Sequence, residues 1–248
     1  MTKRFVFSMV ALTASLALAG CSGGVQSEEN GTPGQPSESA KSQSQGAGDG
    51  KSLDAKQVET VASTLLKSDQ SVQVISNEQM QPQLEAAKDA EMPAGIKPEK
   101  CAELNAKYSV TDLTSSVAAT STSSSEEVGK VVQIFSITDE ATRANVLNAL
   151  AFDDLEDCST VTIEQSGKEL KAKRQILPMD VNAEHALTMS TVMDAGGGQT
   201  LNSVAVQALD GNNFVLITLQ TGSVQPAELA TEAVKLTDQA FDEIKSVQ

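Results

Sequence analysis

The tetrapeptide Asp210-Gly211-Asn212-Asn213 separates two strand-like runs, Thr200–Leu209 and Phe214–Leu219. It constrains the fold more than any other stretch. Gly and Asn tolerate the positive φ of tight turns, and so short a connection joins only antiparallel neighbours. Phe214–Leu219 is apolar in both strand phases, with Phe214 and Leu216 in one and Val215 and Ile217 in the other. A strand of that kind is buried on both faces and belongs at the centre of a sheet.

The same reading extends in both directions. His185–Met193 and Thr200–Leu209 flank the glycine-rich Ala195–Gly198, and Val161–Gln165 and Glu169–Ile176 flank Ser166-Gly167. Each pair reads as a hairpin. Lys130–Ile137 and Asp112–Ala119 are extended, whereas the polar run Ser121–Ser125 reads as a loop. Thr138-Asp139-Glu140 is a helix start, and a helix follows over Ala141–Leu150. Pro226 opens a closing helix whose Leu229, Ala233, Leu236, Ala240, Ile244 and Val247 recur at spacings of three and four. Upstream, Val58, Val61, Ala62, Leu65 and Leu66 form a helical stripe over Asp54–Leu66. A weaker helix spans Glu78–Ala90 with Pro82 in its first turn, ended by Met92-Pro93-Ala94-Gly95. A short helix, Glu99–Lys107, carries Cys101. The sum is α+β: a mostly antiparallel sheet of hairpin-linked strands, with N-terminal helices and a C-terminal helix packed on one face.

The amino terminus carries a different message. Lys3 and Arg4 precede an apolar stretch from Phe5 to Ala19, shorter than the roughly 20 residues a spanning helix needs. A positive start, a short apolar body and a small-residue end describe a secretory signal. The ending Leu18-Ala19-Gly20-Cys21 resembles the lipobox of bacterial lipoproteins. That resemblance implies a diacylglycerol on the Cys21 thiol and cleavage on its amino side. Acyl chains bury at about 0.8 kcal/mol per CH₂, and several on one residue make a stable anchor. Gly, Ser, Gln and Pro dominate residues 22–51, which cannot bury enough surface to order themselves. As a coil this segment spans roughly 30 Å. The expected organisation is a signal peptide over 1–20, a lipidated cysteine and linker over 21–52, and one extracytoplasmic domain over 53–248, held at the cell membrane.

The chain has 33 acidic and 18 basic residues and a formal charge of −15. Such a surface excludes a phosphate-backbone reader and a polybasic membrane binder. With Cys21 assigned to lipid, Cys101 and Cys158 remain, an even number in an oxidising compartment. A disulfide is the default, worth about 4 kcal/mol in the chain-entropy model. A two-cysteine metal site is the competing reading, but the chain has a single histidine and no Cys-x-x-Cys to complete it.

Candidate chemistry is sparse. His185 is the sole imidazole, and no Gly-x-Ser-x-Gly elbow supplies a nucleophile for it. Asp153-Asp154-Leu155-Glu156-Asp157 lacks the alternation of a calcium loop. Gly196–Gly198 is followed by no Gly-Lys-Ser/Thr, so it reads as a hairpin tip and not a phosphate cradle. No catalytic residue, metal site or cofactor is assigned, and the expectation is a non-enzymatic protein.

Cys101 followed by Tyr108, the run Val131–Phe135, and the Ala141–Leu150 helix leading to Cys158 and Val161 resemble the PknH-like extracellular sensor domain of actinobacterial serine/threonine kinases. The resemblance covers residues 53–247. Leu155 stands where that family often has tryptophan, and this chain has cysteines for one of the family's two disulfides. The resemblance implies an α+β domain, Cys101 and Cys158 as a structural pair, and a cleft for an extracytoplasmic ligand. The alternative is a lipid or glycolipid carrier lipoprotein that encloses acyl chains between sheet and helices; a third is an interaction module with no small ligand. The expected partners are therefore the membrane, through Cys21, and a small-molecule, lipid or envelope-protein ligand, with no nucleic acid.

Overall fold

The computed structural model describes residues 51–88, 95–125, 127–165, 168–196 and 198–248. The lipobox with Cys21, the Ser166-Gly167 turn, Met92-Pro93-Ala94 and Gly197 lie outside the described residues. The described residues form five helices: α1 (Ala55–Leu65), α2 (Asn77–Lys88), α3 (Glu99–Lys107), α4 (Glu140–Leu150) and α5 (Pro226–Val247). They also form nine strands: β1 (Gln73–Ile75), β2 (Ile96–Lys97), β3 (Ser116–Ser124), β4 (Gly129–Ile137), β5 (Thr160–Gln165), β6 (Lys168–Leu177), β7 (His185–Gly196), β8 (Gln199–Asp210) and β9 (Asn213–Thr221). They form one antiparallel sheet in the order β1-β3-β4-β9-β8-β7-β6-β5-β2.

The strand apolar in both phases, β9, sits between β4 and β8 and is bonded along both edges. The turn before it holds Gly211 at φ 59°, the left-handed conformation that glycine adopts without penalty. Val215, Ile217 and Leu219 face α1 and α5, whose buried Val58, Val61, Ala62, Leu229, Ala233, Leu236, Ala240 and Ile244 share one cluster with them. Phe214 and Leu216 face the opposite way, into a second cluster with Met80 and Leu84 of α2 and Val146, Ala149 and Leu150 of α4. The expected α1/α5 layer is present, and the other face of the sheet carries α2 and α4 as well. Asp54 and Gln57 form a reciprocal capping box at the start of α1, and the Gln57 amide donates to the Val247 carbonyl, tying α1 to the end of α5.

Three readings need correction. Ser121–Ser124 is strand, not loop. β3 pairs with β4 along its whole length, with β1 on its other edge. The hydroxyls are small enough to lie beneath helices, and some find partners: Ser123 Oγ donates to Asp69 at 2.8 Å, and Thr120 Oγ1 to the Met80 sulfur at 3.2 Å. Residues 112–115, read as strand, are instead held in a turn, where Asp112 Oδ1 accepts from the Thr114 N–H and hydroxyl. Pro82 lies in the second turn of α2, because the helix begins at Asn77.

Both sheet edges end in strands too short to recruit another chain, three residues at β1 and two at β2. At β2 the chain comes so close to β5 that a Cβ on Gly95 would sit 2.8 Å from the Glu164 Cβ. The Gly95 carbonyl accepts from the Glu164 N–H at 2.9 Å.

A third cluster lies under α3 at the far end of the sheet. Cys101 and Cys158 are bonded there, S–S 2.02 Å, among Val161, Ala172 and Met193. The bond uses both thiols, which removes the two-cysteine metal site. Cys158 sits in a 3-10 turn, Glu156–Ser159. The bridge closes a span of 57 residues. We expect the Cys101→Ala/Cys158→Ala double variant to lose about 4 kcal/mol of unfolding free energy, read by urea denaturation.

The α4 cap gives a pH-dependent signature. Burial pushes the Asp139 carboxyl up, but the Thr142 hydroxyl and N–H outweigh it and hold it below the usual carboxylate range. The Thr114 hydroxyl and N–H hold Asp112 low in the same way. A depressed folded pKa stabilises above the unfolded value and is lost on acidification. Stability should therefore be full above about pH 4 and fall as pH drops further. Asp139→Ala should cost about 1 kcal/mol at neutral pH and flatten this acid limb in pH-dependent unfolding.

Candidate functional site

The residues singled out from sequence do not converge. His185 is exposed at the first position of β7. The acidic run 153–157 is a surface turn: Asp154 accepts from the Glu156 N–H at 2.7 Å, and Asp157 meets Lys100 at 2.5 Å. Gly196 ends β7, and Gly198, at φ 80°, turns the chain into β8. Among the described residues no group of three or more His, Cys, Asp or Glu could hold a metal ion, and no helix is long and apolar enough to cross a membrane.

An open groove of about 380 Å³ lies where the β6–β7 connection meets α5, lined by Asp180, Val181, Asn182, Ala183, Asp210, Asp238 and Lys245. Three of its four charged groups are already engaged. Asp238 accepts from the Asn182 N–H at 2.9 Å, and Lys245 lies 3.8 Å from Asp210. Next to it, Arg143 bridges the Gly211 carbonyl at 3.0 Å and Glu184 at 3.5 Å. This is an acidic rim that fixes loop positions.

The sheet face under α2, α3 and α4 is more informative. Directly opposed residues of an antiparallel ladder share a face. The ladder therefore places Arg174, Thr191, Ser203 and Gln220 in one row across β6, β7, β8 and β9. The row on one side, Ile176 and Met189, packs against the α2/α4 cluster. The row on the other, Ala172 and Met193, belongs to the disulfide cluster. A polar seam thus separates two apolar clusters on the same face. Arg174 and Thr191 are half-buried, so the packed helices leave this seam partly open.

Arg174 is held from one side. Its Nε and Nη2 donate to the Cys158 carbonyl at 3.2 and 2.9 Å, and Nη1 donates to Asn105 Oδ1 at 3.4 Å. Burial lowers its pKa, with no carboxylate opposing the shift. Sequence reasoning missed this residue. From sequence, Glu169–Ile176 reads only as a hairpin strand; within it Lys171 and Lys173 are exposed on one face while Arg174 points to the other. The usable signal was parity: Ala172, Arg174 and Ile176 share the apolar phase of β6.

The fold and the seam together define an α+β domain with one antiparallel sheet between helical layers and a polar cleft on one sheet face. No family model matches the chain, and no curated protein matches it. Among solved structures, the extracellular domain of PknH from Mycobacterium tuberculosis is similar, with TM-score 0.49 and 12% identity, over 79% of this chain and 98% of that one. An uncharacterized protein from Mycobacterium smegmatis is similar with TM-score 0.44 and 14% identity, over 75% and 96% of the two chains. At these values the likeness assigns no role to any residue here.

Arg174→Met leaves the buried Cys158 carbonyl without its donors. We expect a loss of about 1–3 kcal/mol in chemical denaturation, with Arg174→Lys losing less because one donor remains.

Proposed function

We propose that this chain is a lipid-anchored, extracytoplasmic, non-catalytic domain that binds a ligand or partner at the cell envelope. The observation that carries ligand binding is the seam: half-buried polar groups between two apolar clusters, on a sheet face that the helices do not close. Buried polar groups cost free energy unless they are partnered, and a ligand is one way to partner them. The extracytoplasmic assignment rests on two features of different origin. One is the signal-like amino terminus ending at Cys21. The other is the Cys101–Cys158 bridge, a bond that persists in oxidising compartments. The sensor-like character follows from the resemblance carried by Cys101, Tyr108, Val131–Phe135 and Cys158.

The carrier alternative calls for a large apolar cavity between sheet and helices. The central strands favour the first reading, since Phe135, Phe214, Ile217 and Leu219 are fully packed against helices on the two faces.

Membrane fractionation of cells expressing the full chain tests the anchor. Wild type should partition with membranes, and Cys21→Ser should be released or left unprocessed. Unchanged attachment of Cys21→Ser, or free thiols at Cys101 and Cys158 after rapid alkylation, would refute the assignment. Native mass spectrometry of the detergent-released protein tests the binding class: a stoichiometric acyl lipid would favour the carrier.

A further inference from the structure

Three described cations are half-buried: Lys130, Arg143 and Arg174. Lys130 meets Asp69 at 3.2 Å and Glu232 at 2.8 Å, and Arg143 meets Glu184 at 3.5 Å. Arg174 has neutral acceptors only, in a chain with 33 acidic residues against 18 basic ones. Desolvated charges are ordinarily paired, since leaving one alone is costly. A guanidinium has five N–H donors. The Cys158 carbonyl takes one from Nε and one from Nη2, and Asn105 takes one from Nη1. One N–H is left on each terminal nitrogen.

Two neighbours in the row, Thr191 and Ser203, have unmet valence as well. The side-chain hydroxyls of Thr191 and Ser203 make no hydrogen bond among the described residues. Neighbouring strands lie about 4.8 Å apart, so Arg174, Thr191 and Ser203 line roughly 10 Å of the seam with donors. The donors have a rigid base: Thr191 and Ser203 sit on strands paired along both edges, and Arg174 is paired with β7 one residue past the β5 ladder.

We propose that Arg174, Thr191 and Ser203 form an oxyanion-binding subsite, which takes the phosphate or carboxylate group of a ligand seated in the seam. Two N–H groups of one guanidinium match two oxygens of such a group, and the hydroxyls serve the remaining oxygens. The apolar flanks, Ile176 and Met189 on one side and Met193 on the other, fit the carbon skeleton behind the anion. This deepens the ligand-binding reading above and rests on it. The oxyanion can come from a soluble metabolite or from a lipid headgroup near the anchor; both present the same chemistry.

Isothermal titration calorimetry on the detergent-solubilised full chain tests the subsite. Glycerol 3-phosphate probes the soluble source and dihexanoyl phosphatidylglycerol the headgroup, with dihexanoyl phosphatidylcholine as the zwitterionic control. At least one anionic probe should bind saturably and more tightly than the control. Thr191→Asp places a carboxylate opposite Arg174 without disturbing its hold on Cys158. It should weaken binding about tenfold or more and leave the unfolding temperature no lower than wild type. Arg174→Lys should weaken binding as well, and it decides the question if Thr191→Asp fails to fold. Absence of binding by both anionic probes, or binding that survives both substitutions, overturns the subsite. If the protein binds a neutral envelope ligand with an affinity that Thr191→Asp leaves unchanged, the oxyanion assignment fails and the ligand-binding reading stands. If it binds neither the anionic probes nor any envelope ligand in native mass spectrometry, both fail.

Discussion

The structure depends on β9 being buried on every side. Its edges are bonded to β4 and β8, and its two faces supply the centres of two hydrophobic clusters. A strand with no polar phase cannot face water on either side, so it demands a helical layer above and another below. The closing helix α5 and the N-terminal α1 cover one face; α2 and α4 cover the other. The full burial of Phe214, Val215, Ile217 and Leu219 measures how completely that demand is met.

Three helices do not tile the second face. α2 packs over β3 and α4 over β4, β8 and β7, while α3 covers the disulfide cluster on β5 and β6, held there by the Cys101–Cys158 bridge. Where the two layers meet, α3 reaches the strip: Asn105 accepts from Arg174 Nη1 at 3.4 Å, and Leu104 packs against both clusters. The strip itself holds Arg174, Thr191, Ser203 and Gln220, half-buried except for the buried Ser203. The seam thus lies where the helix layers join.

The same physics explains what could be read from the chain. β9, α1 and α5 were legible because their patterns run long enough to reveal a period. β1 and β2 were not, because two or three residues show no period, and their existence is decided by the partner strand. Ser121–Ser124 misled because the sequence shows hydroxyls where the fold needs only small side chains next to a fully paired neighbour. Arg174 was not singled out, although its phase in β6, shared with Ala172 and Ile176, pointed to the interior. Cys101 and Cys158 were legible by arithmetic alone, since a cysteine assigned to lipid leaves an even pair.

Arg174 also couples the bridge to the seam. Its guanidinium grips the Cys158 carbonyl, so the turn that carries the disulfide and the residue that offers the free N–H groups hold one another in place. An arginine on an otherwise apolar strand phase loses side-chain freedom and solvation together. The carbonyl repays part of that by fixing the guanidinium plane, which leaves its remaining donors in a set orientation. Pre-orientation of this kind lowers the ordering cost of binding. The bridge fixes the 3-10 turn that carries Cys158, and through that carbonyl it also restrains the Arg174 guanidinium.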